Sequence, residues 1–169
     1  MKRRSKTGTN GRSLDAIDIR LLTALQEDAR LSNVALAQQV SLSPSACLAR
    51  VRALEASGVI SRYATLLDPA KLDLGINVFI HITLERQTET ELSAFEAAMR
   101  DNPDVMECYL MTGDSDYLVR VVMPDLASLE RFIVARLSKT PGVANIRSSF
   151  TLKQVKYQTA LPLGTETSS

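Results

Sequence analysis

The sequence has little of the chemistry on which enzymes commonly depend. It contains one histidine, His81, two cysteines and no tryptophan. It has no glycine-rich phosphate loop, no Gly-x-Ser-x-Gly and no group of His and Cys at metal-ligand spacing. His81 lies in a run with strand periodicity, which favours a packed or interface residue over a catalytic base. Asp114 and Asp116 could hold a metal ion, but two carboxylates on one turn are a weak signal. We therefore expect no enzyme activity, no cofactor and no metal site.

Long apolar runs are also absent. No stretch approaches the ~20 residues needed to cross a bilayer, and the basic N-terminus is not followed by a hydrophobic segment. We therefore expect a cytoplasmic protein without a membrane partner. Cys47 and Cys108 have neither Cys-x-x-Cys spacing nor a partner histidine nearby, so we expect buried thiols rather than metal ligands or a disulfide.

The net charge of +1 hides an uneven distribution. Residues 1–63 carry ten Lys/Arg and five Asp/Glu, whereas residues 64–169 carry ten and fourteen. A tail over residues 1–13, which has no apolar anchor and is expected to be disordered, supplies the whole basic excess through Lys2, Arg3, Arg4, Lys6 and Arg12. This tail is either a solubilising terminus or an arm that adds phosphate contacts to a nucleic acid.

The clearest local signal is a capped helix. Ser43 is a suitable N-cap, Pro44 has its φ preset for the first helical position, and Gly58 can take the left-handed conformation that ends a helix, with Val59 packing back on Leu54. At about 100° per residue the helix has two faces. The inner stripe contains Cys47, Leu48, Val51 and Leu54, and the outward positions are Ser45, Ala46, Ala49, Arg52 and Ala53.

The outward face of this helix is small and polar, with Arg50 and Arg52 on its flanks. Small residues let a backbone lie close to base edges, and guanidinium groups reach phosphates or guanine. An ordinary amphipathic surface helix is the alternative. The predicted DNA contacts come from Ser43, Ser45, Ala46, Ala49, Arg50 and Arg52. Changing either arginine to alanine is expected to weaken DNA binding and to leave the fold intact.

Two further helices are predicted ahead of this one. The first begins after Asp15 and carries apolar residues at helical spacing as far as Leu25, and the second is short and N-capped by Ser32. The next turn would place Ser41 in a left-handed conformation, which costs on the order of 1 kcal/mol for a non-glycine residue. Two short helices joined in this way after a longer first helix form a helix-turn-helix.

Beyond this region the sequence alternates between strand and helix patterns. Residues 59–67 are predicted to be an extended linker strand, ended by a turn at Asp68-Pro69. Thr88 and Asp125 are N-caps that open two amphipathic helices. Period-two strands are predicted at 77–84, 105–111, 116–123 and 146–155. The order is βαββαβ, the ferredoxin-like arrangement in which two helices cover one face of an antiparallel sheet.

The other face of that sheet would have no cover from its own chain. Phe79, Tyr109 and Met111 alternate onto this side, which is therefore partly apolar. Such a face suggests a second subunit, and two-fold symmetry would place two recognition helices about one DNA turn apart. The predicted fold class is α+β, with an N-terminal three-helix helix-turn-helix (winged-helix-like) domain and a C-terminal ferredoxin-like βαββαβ domain.

Several short motifs occur along both regions in a definite order. They are Leu14-Asp15-x-x-Asp18, Leu42-Ser43-Pro44, Arg50-Val51-Arg52-x-Leu54-Glu55, Gly58-Val59-Ile60, Glu107-Cys108-Tyr109, Gly113-Asp114-x-Asp116-Tyr117 and Pro141-Gly142-Val143. Together they resemble the Lrp/AsnC family of bacterial and archaeal transcription regulators, the leucine-responsive or feast/famine proteins. The resemblance implies binding to double-stranded DNA, a dimer that often assembles into octamers, and control of amino-acid metabolism genes by a small effector, typically an amino acid.

The resemblance also implies an effector site between ferredoxin-like domains. Gly113 permits close backbone approach, and Asp116 can accept a hydrogen bond from an ammonium group, so Asp116→Ala is expected to abolish the effector response. Without the resemblance, residues 113–116 would be interpreted as an ordinary turn with solvent-exposed charged side chains. Ser149 and Thr151 are more polar than their counterparts in leucine-responsive members, which argues against leucine. The implied contacts are Leu110, Thr112, Gly113, Asp114, Asp116, Leu126, Ser149, Phe150 and Thr151.

The expected organisation has five segments. They are a disordered basic tail (1–13), a DNA-binding domain (14–63), a linker strand and turn (64–76), an effector-binding and oligomerisation domain (77–161) and a flexible C-terminus (162–169). Two alternatives remain open, namely a DNA-organising protein that binds no effector and a ferredoxin-like enzyme.

Overall fold

The computed structural model describes residues 13–163, which divide into two units. Residues 13–65 together with 156–163 form the first unit, and residues 66–155 form the second. The basic residues of the predicted tail and the last six residues of the chain lie outside the described part. No helix in residues 13–163 is long and apolar enough to cross a membrane.

The first unit contains the three predicted helices, α1 (Ala16–Glu27), α2 (Asn33–Gln39) and α3 (Pro44–Ala56). Each begins at a side-chain cap, because an oxygen of Asp15, Ser32 or Ser43 accepts a hydrogen bond from a backbone amide of the first turn. The predicted N-caps of α2 and α3 and the predicted helix-turn-helix are thus confirmed.

The turns around α3 have the predicted backbone conformations. Ser41 has a φ of 58° and Gly58 a φ of 74°, both left-handed. At the end of the helix, Gly58 N donates to Glu55 O at 2.9 Å and Ile60 N to Leu54 O at 3.2 Å. The residue that packs back onto the core is Ile60, whereas Val59 is 38% exposed. The predicted role of Val59 is therefore wrong by one residue, because the turn rotates the next side chain inward.

The core of the first unit lies where the three helices meet. Leu21, Cys47 and Leu54 are fully buried, and α2 contributes Leu36 with Val40 just after it. Burying each leucine contributes roughly 1.5–3 kcal/mol. This packing leaves the opposite side of α3 facing solvent.

The second unit has the predicted order βαββαβ. Its elements are β1 (Ile76–Leu84), α4 (Glu89–Arg100), β2 (Val105–Leu110), β3 (Tyr117–Met123), α5 (Leu126–Ala135) and β4 (Val143–Phe150). The strands are antiparallel in the spatial order β2-β3-β1-β4. The predicted fold class is therefore confirmed.

Two strand predictions need correction. The last strand is predicted at 146–155, but β4 pairs with β1 from Leu84↔Val143 to Val78↔Phe150. The ladder begins where β1 ends, at Leu84, and it stops at Phe150 although β1 itself extends to Ile76. Thr151 N donates to Asn77 O at 3.0 Å, after which the chain leaves the sheet. The predicted linker strand is also wrong, since residues 61–68 pair with no strand within the described chain and lead into a 3₁₀ helix at Pro69–Leu72.

The core of the second unit lies between the sheet and its two helices. Ile80 of β1 and Val119 of β3 are fully buried, and Phe95 of α4 stacks on Tyr117 with 4.5 Å between ring centroids. We call the opposite side of the sheet the open face. It carries Asn77, Phe79 and His81 of β1, Tyr109 of β2, and Leu118, Arg120 and Val122 of β3; all but the exposed Tyr109 are partly buried.

Candidate DNA-contacting helix and effector loop

The outward side of α3 presents a compact set of small residues. Ser45, Ala46, Ala49 and Arg52 are all exposed, as the sequence predicts. Ser43 Oγ accepts a hydrogen bond from Ala46 N at 3.3 Å and lies 3.2 Å from Ser45 Oγ. The first turn therefore presents two hydroxyl groups ahead of a strip of methyl groups, a surface that can lie close to base edges.

Arg50 has a different environment from the one expected. Its Nη1 donates to Asp15 Oδ2 at 2.7 Å and to Asp18 Oδ1 at 2.8 Å. The Asp18 side chain is only 1% exposed. Arg50 therefore ties α3 to the start of α1, and the expectation that Arg50→Ala would leave the fold intact is corrected.

These contacts shift the pKa values of the charged groups. The backbone N–H of Asp18 is the largest cause that lowers the pKa of Asp15, and the Arg50 guanidinium adds to it against the opposing effect of burial. The hydrogen bond to Asp15, followed by that to Asp18, raises the pKa of Arg50. Both groups are held in their charged forms.

Asn33 anchors the start of α3. Its Nδ2 donates to Pro44 O at 2.7 Å, across the turn between α2 and α3. Sequence reasoning missed this contact, since an asparagine in the first turn of a helix has many possible partners.

The loop between β2 and β3 is closed by backbone hydrogen bonds. Met111 N donates to Asp116 O and Asp116 N donates to Ile82 O, both at 2.8 Å. Gly113 has a φ of 117°, which favours glycine, and no atom lies within 4 Å of the Cβ that another residue would add. Thr112, Gly113 and Asp114 are exposed, so the tip of the loop is accessible to a ligand.

The Asp116 side chain stabilises the loop that follows β2 by binding the end of β1. Its Oδ2 accepts from Leu84 N at 2.7 Å and its Oδ1 from Gln87 Nε2 at 2.6 Å, and the residue is 9% exposed. Both carboxylate oxygens thus already hold the end of β1. Asp116 therefore holds the loop, and its suggested role as ammonium acceptor stays a prediction.

The remaining predicted effector contacts lie elsewhere on the sheet. Leu110 is on edge strand β2 and pairs with Tyr117, whereas Phe150 is on the opposite edge strand β4 and pairs with Val78. Three strand spacings of about 4.8 Å separate these edges, or about 14 Å. Leu126, Ser149 and Thr151 belong to the Phe150 end, because β3 finishes beside the start of β1. Within one chain, the predicted effector contacts therefore form two groups that lie apart.

The Phe150 end also contains two polar atoms without a hydrogen bond. Asn77 Oδ1 and Thr151 Oγ1 are buried and have no partner within the described residues. They lie on adjacent strands, since Thr151 N donates to Asn77 O. Both could accept a hydrogen bond from a ligand. Asn77 was not among the predicted residues.

The open face carries charge as well as apolar surface. Arg120 Nη2 donates to Glu107 Oε1 at 2.6 Å, and Tyr109 OH donates to Glu107 Oε2 at 3.0 Å. The hydrogen bond from Arg120 is the largest cause that lowers the pKa of Glu107. His81 Nδ1 lies 3.3 Å from Ser115 Oγ, beside the effector loop.

Carboxylates near Asp114 do not form a metal cluster. Among residues 13–163, no group of three or more His, Cys, Asp or Glu side chains is placed to hold an ion. Cys47 and Cys108 are free thiols, and burial raises the pKa of each.

Comparison with known proteins gives matches along both units. The family model of the Lrp/AsnC ligand-binding domain matches residues 77–161, and a winged helix-turn-helix DNA-binding model matches residues 14–61. The Bkd operon transcriptional regulator of Pseudomonas aeruginosa is 46% identical over 150 residues, which cover 89% of this chain and 98% of that protein. The leucine-responsive regulatory protein of Salmonella typhimurium is 39% identical over 155 residues, covering 92% and 94%.

A solved structure is similar over the same extent. The crystal structure of a transcriptional regulator from Neisseria meningitidis in complex with L-Met has a TM-score of 0.85 and 40% sequence identity. The match covers 89% of this chain and 97% of that chain.

Proposed function

The chain belongs to the Lrp/AsnC family of transcriptional regulators, and from this premise we propose that it binds specific DNA sites and controls genes of amino-acid metabolism in response to an amino acid. In this proposal, residues 14–63 bind DNA, 64–76 form the linker, and 77–161 bind the effector and join the subunits. The protein would act in the cytoplasm, where it has access to the chromosome.

The outward side of α3 is the observation that carries the DNA proposal. Its small side chains would let the helix backbone approach the major groove, and Arg52 would reach a phosphate or a guanine. The proposed contacts are Ser43, Ser45, Ala46, Ala49 and Arg52. Arg50 is not among them, because its guanidinium is engaged by Asp15 and Asp18.

The open face supports a dimer. Phe79, Leu118 and Val122 are partly buried on a side of the sheet to which the unit's own helices contribute no core residue. In a dimer that packs through this face, each subunit would present one α3 helix. The two helices would bind adjacent half-sites, which lie about 34 Å apart on DNA. An octamer built from such dimers is part of the proposal.

The effector proposal follows from the split of the predicted contacts. In one chain, Leu110 and the loop through Asp114 lie far from the group at Leu126 and Phe150. Two copies can bring the loop of one beside the β4 end of the other. A related regulator is solved with L-Met and another is named leucine-responsive, which favours an amino acid as the ligand here.

Electrophoretic mobility shifts with genomic fragments test the DNA proposal. We expect retention of a small subset of fragments at salt concentrations that abolish binding to the rest. Uniform binding to all fragments would contradict sequence-specific regulation.

Calorimetric titration with each of the twenty amino acids tests the effector proposal. Binding of one or a few, with a change in the mobility shift, is expected. If none binds while specific DNA binding persists, the protein is a DNA organiser without an effector.

A further inference from the structure

Asn33 makes the only hydrogen bond that joins α2 to α3 within residues 13–163. Its Nδ2 donates to Pro44 O at 2.7 Å. Because a carbonyl can only accept, the nitrogen of the amide, not its oxygen, faces Pro44. Pro44 is the first residue of α3, and the exposed Ser45 and Ala46 follow it. The hydrogen bond therefore acts at the end of α3 where the proposed DNA contacts begin.

The core contact between α2 and α3 is otherwise apolar. Leu36 and Ala37 of α2 share one buried cluster with Cys47 and Leu54 of α3. Apolar burial is not directional, whereas a hydrogen bond requires its donor and acceptor to stay within a few tenths of an ångström of their best separation. Asn33 therefore fixes where α3 begins relative to α2 more closely than the apolar contact does.

The oxygen of the Asn33 amide is poorly accommodated. Oδ1 is buried and has no hydrogen-bond partner within the described residues. Asn33 borders a depression of about 190 Å³ whose other lining residues are apolar except Tyr63, and the Tyr63 hydroxyl donates to Glu55 Oε1 at 2.9 Å. A buried acceptor without a donor destabilises the folded state. Asn33 therefore lowers the stability of the first unit relative to an apolar residue of the same shape.

Leucine is such a residue, since it has methyl groups in place of the two amide atoms. At position 33 it would remove the unpaired oxygen and place apolar atoms beside Leu31 and Leu48, which line the same depression. Pro44 O would keep a partner, because the regular helical pattern gives it a hydrogen bond from Leu48 N. Stability alone therefore does not account for an asparagine at this position.

Residues that lower stability are commonly found where function depends on them. We propose that Asn33 is a positioning residue for sequence-specific DNA binding, which sets the start of α3 so that its outward side chains meet base edges at hydrogen-bonding distance. The inference rests on the proposed DNA binding. Base contacts specify the sequence and need exact placement. Binding to unrelated DNA depends chiefly on charge, which a change of Asn33 to another neutral residue does not alter.

The test measures two properties of Asn33→Leu in the whole chain. Mobility shifts give its affinity for a genomic fragment that wild type prefers and for an unrelated fragment of the same length, and urea unfolding gives the midpoint of the first unit. We expect a loss of about tenfold or more in affinity for the preferred fragment. Affinity for the unrelated fragment should be unchanged, and the urea midpoint should lie at or above that of wild type. Asn33→Ala lacks the same donor and adds no atoms, so it should lose the same preference.

The matched control is Gln38→Leu, which puts leucine in place of an exposed amide of α2 that makes no side-chain hydrogen bond within the described residues. It should bind both fragments as wild type does. The proposal is overturned if both Asn33 variants keep the wild-type preference, or if their affinities for the two fragments fall equally. It is also overturned if both variants unfold at lower urea concentrations than wild type, since Asn33 would then serve the fold. A wild-type protein that prefers no fragment would contradict the proposed function itself.

Discussion

Arg50 of α3 donates a hydrogen bond to Asp18 of α1 at 2.8 Å, and the side chain of Asp18 is 1% exposed. A carboxylate removed from water in this way depends on charged and polar partners. The contact joins the proposed recognition helix to the first helix of the unit. The position of α3 therefore depends on Arg50, a residue that the sequence alone predicts to contact DNA.

Arg50→Ala and Arg52→Ala should therefore separate stability from DNA binding. Arg50→Ala should lower the free energy of unfolding, because it removes the cation beside Asp18. Arg52→Ala should change it by no more than about 0.5 kcal/mol, as at other exposed sites, and should lower the salt dependence of DNA binding by about one unit. Denaturant unfolding and mobility shifts at several salt concentrations measure both, and equal stability of the two variants would contradict the assignment.

Acid should destabilise the first unit through Asp15. Hydrogen bonds from Asp18 N, then Arg50, hold the pKa of Asp15 below its ordinary value of 3.8. Because the folded pKa is the lower one, this stabilisation is complete above the unfolded value and is lost as the pH falls through the folded value. The loss should therefore begin below about pH 4.

Asp15→Asn should show a shallower decline in stability below that pH, since an amide does not titrate. Urea unfolding followed by circular dichroism at pH 5 and pH 3 measures the difference. Glu27→Gln, an exposed change on the same helix, is the control and should follow wild type. An Asn variant with the wild-type pH dependence would show that Asp15 is not the responsible group.

Local chemistry predicted the starts and ends of the helices well. Ser32, Ser43 and Gly58 act within a few residues of their own positions, so their roles can be predicted from the sequence. The bounds of β4 could not be predicted in this way, because they depend on its pairing with β1, a strand far away in the sequence. The alternating residue pattern predicts that a strand is present, and hydrogen bonding to the neighbouring strand determines its length.

The structural roles of two candidate site residues could not be predicted, because their partners lie far away in the sequence. Arg50 pairs with an aspartate 32 residues away, and Asp116 accepts from an amide 32 residues away. Considered alone, an arginine or an aspartate at these positions is as suitable for binding a ligand as for stabilising the fold. A charged residue in a motif can serve the fold or a ligand, and only the tertiary contacts distinguish the two.

Ser41→Gly should stabilise the first unit. Ser41 has a φ of 58°, a left-handed conformation that costs a residue with a Cβ on the order of 1 kcal/mol and costs glycine little. We expect a gain of about 0.5–1 kcal/mol in denaturant unfolding. The same change in the exposed helical position Ser45 should instead cost about 0.5–1 kcal/mol. A loss at both positions would show that Ser41 makes a favourable contact that offsets its conformation.

Asp116→Asn should destabilise the second unit, whereas Asp114→Asn should not. The amide can present only one oxygen to the two N–H donors at Leu84 and Gln87. With hydrogen bonds to charged groups contributing about 1.5–3 kcal/mol, we expect a loss of about 2–3 kcal/mol. Asp114 is exposed on the same loop and is the matched control. Any loss of effector response in Asp116→Asn should accompany the loss of stability; a lost response at normal stability would indicate that Asp116 acts on the ligand directly.

Gln26, in the last turn of α1, holds a segment from the far end of the chain. Its Oε1 accepts from Leu161 N at 2.6 Å and its Nε2 donates to Leu161 O at 3.3 Å. Leu163 then packs against the core of the first unit. These residues were assigned from sequence to the second domain and a flexible terminus, because no pattern connects positions 135 residues apart.

Gln26→Ala should release this segment. Loss of two exposed hydrogen bonds should cost about 1–2 kcal/mol in the unfolding of the first unit. Trypsin should also cleave after Lys156 faster than in wild type, since the freed segment can extend into the protease. Gln38→Ala removes an exposed glutamine from α2 that makes no side-chain hydrogen bond within the described residues, and it should match wild type in both measurements. If the two variants are cleaved at the same rate, the pairing between Gln26 and Leu161 does not hold the segment in solution.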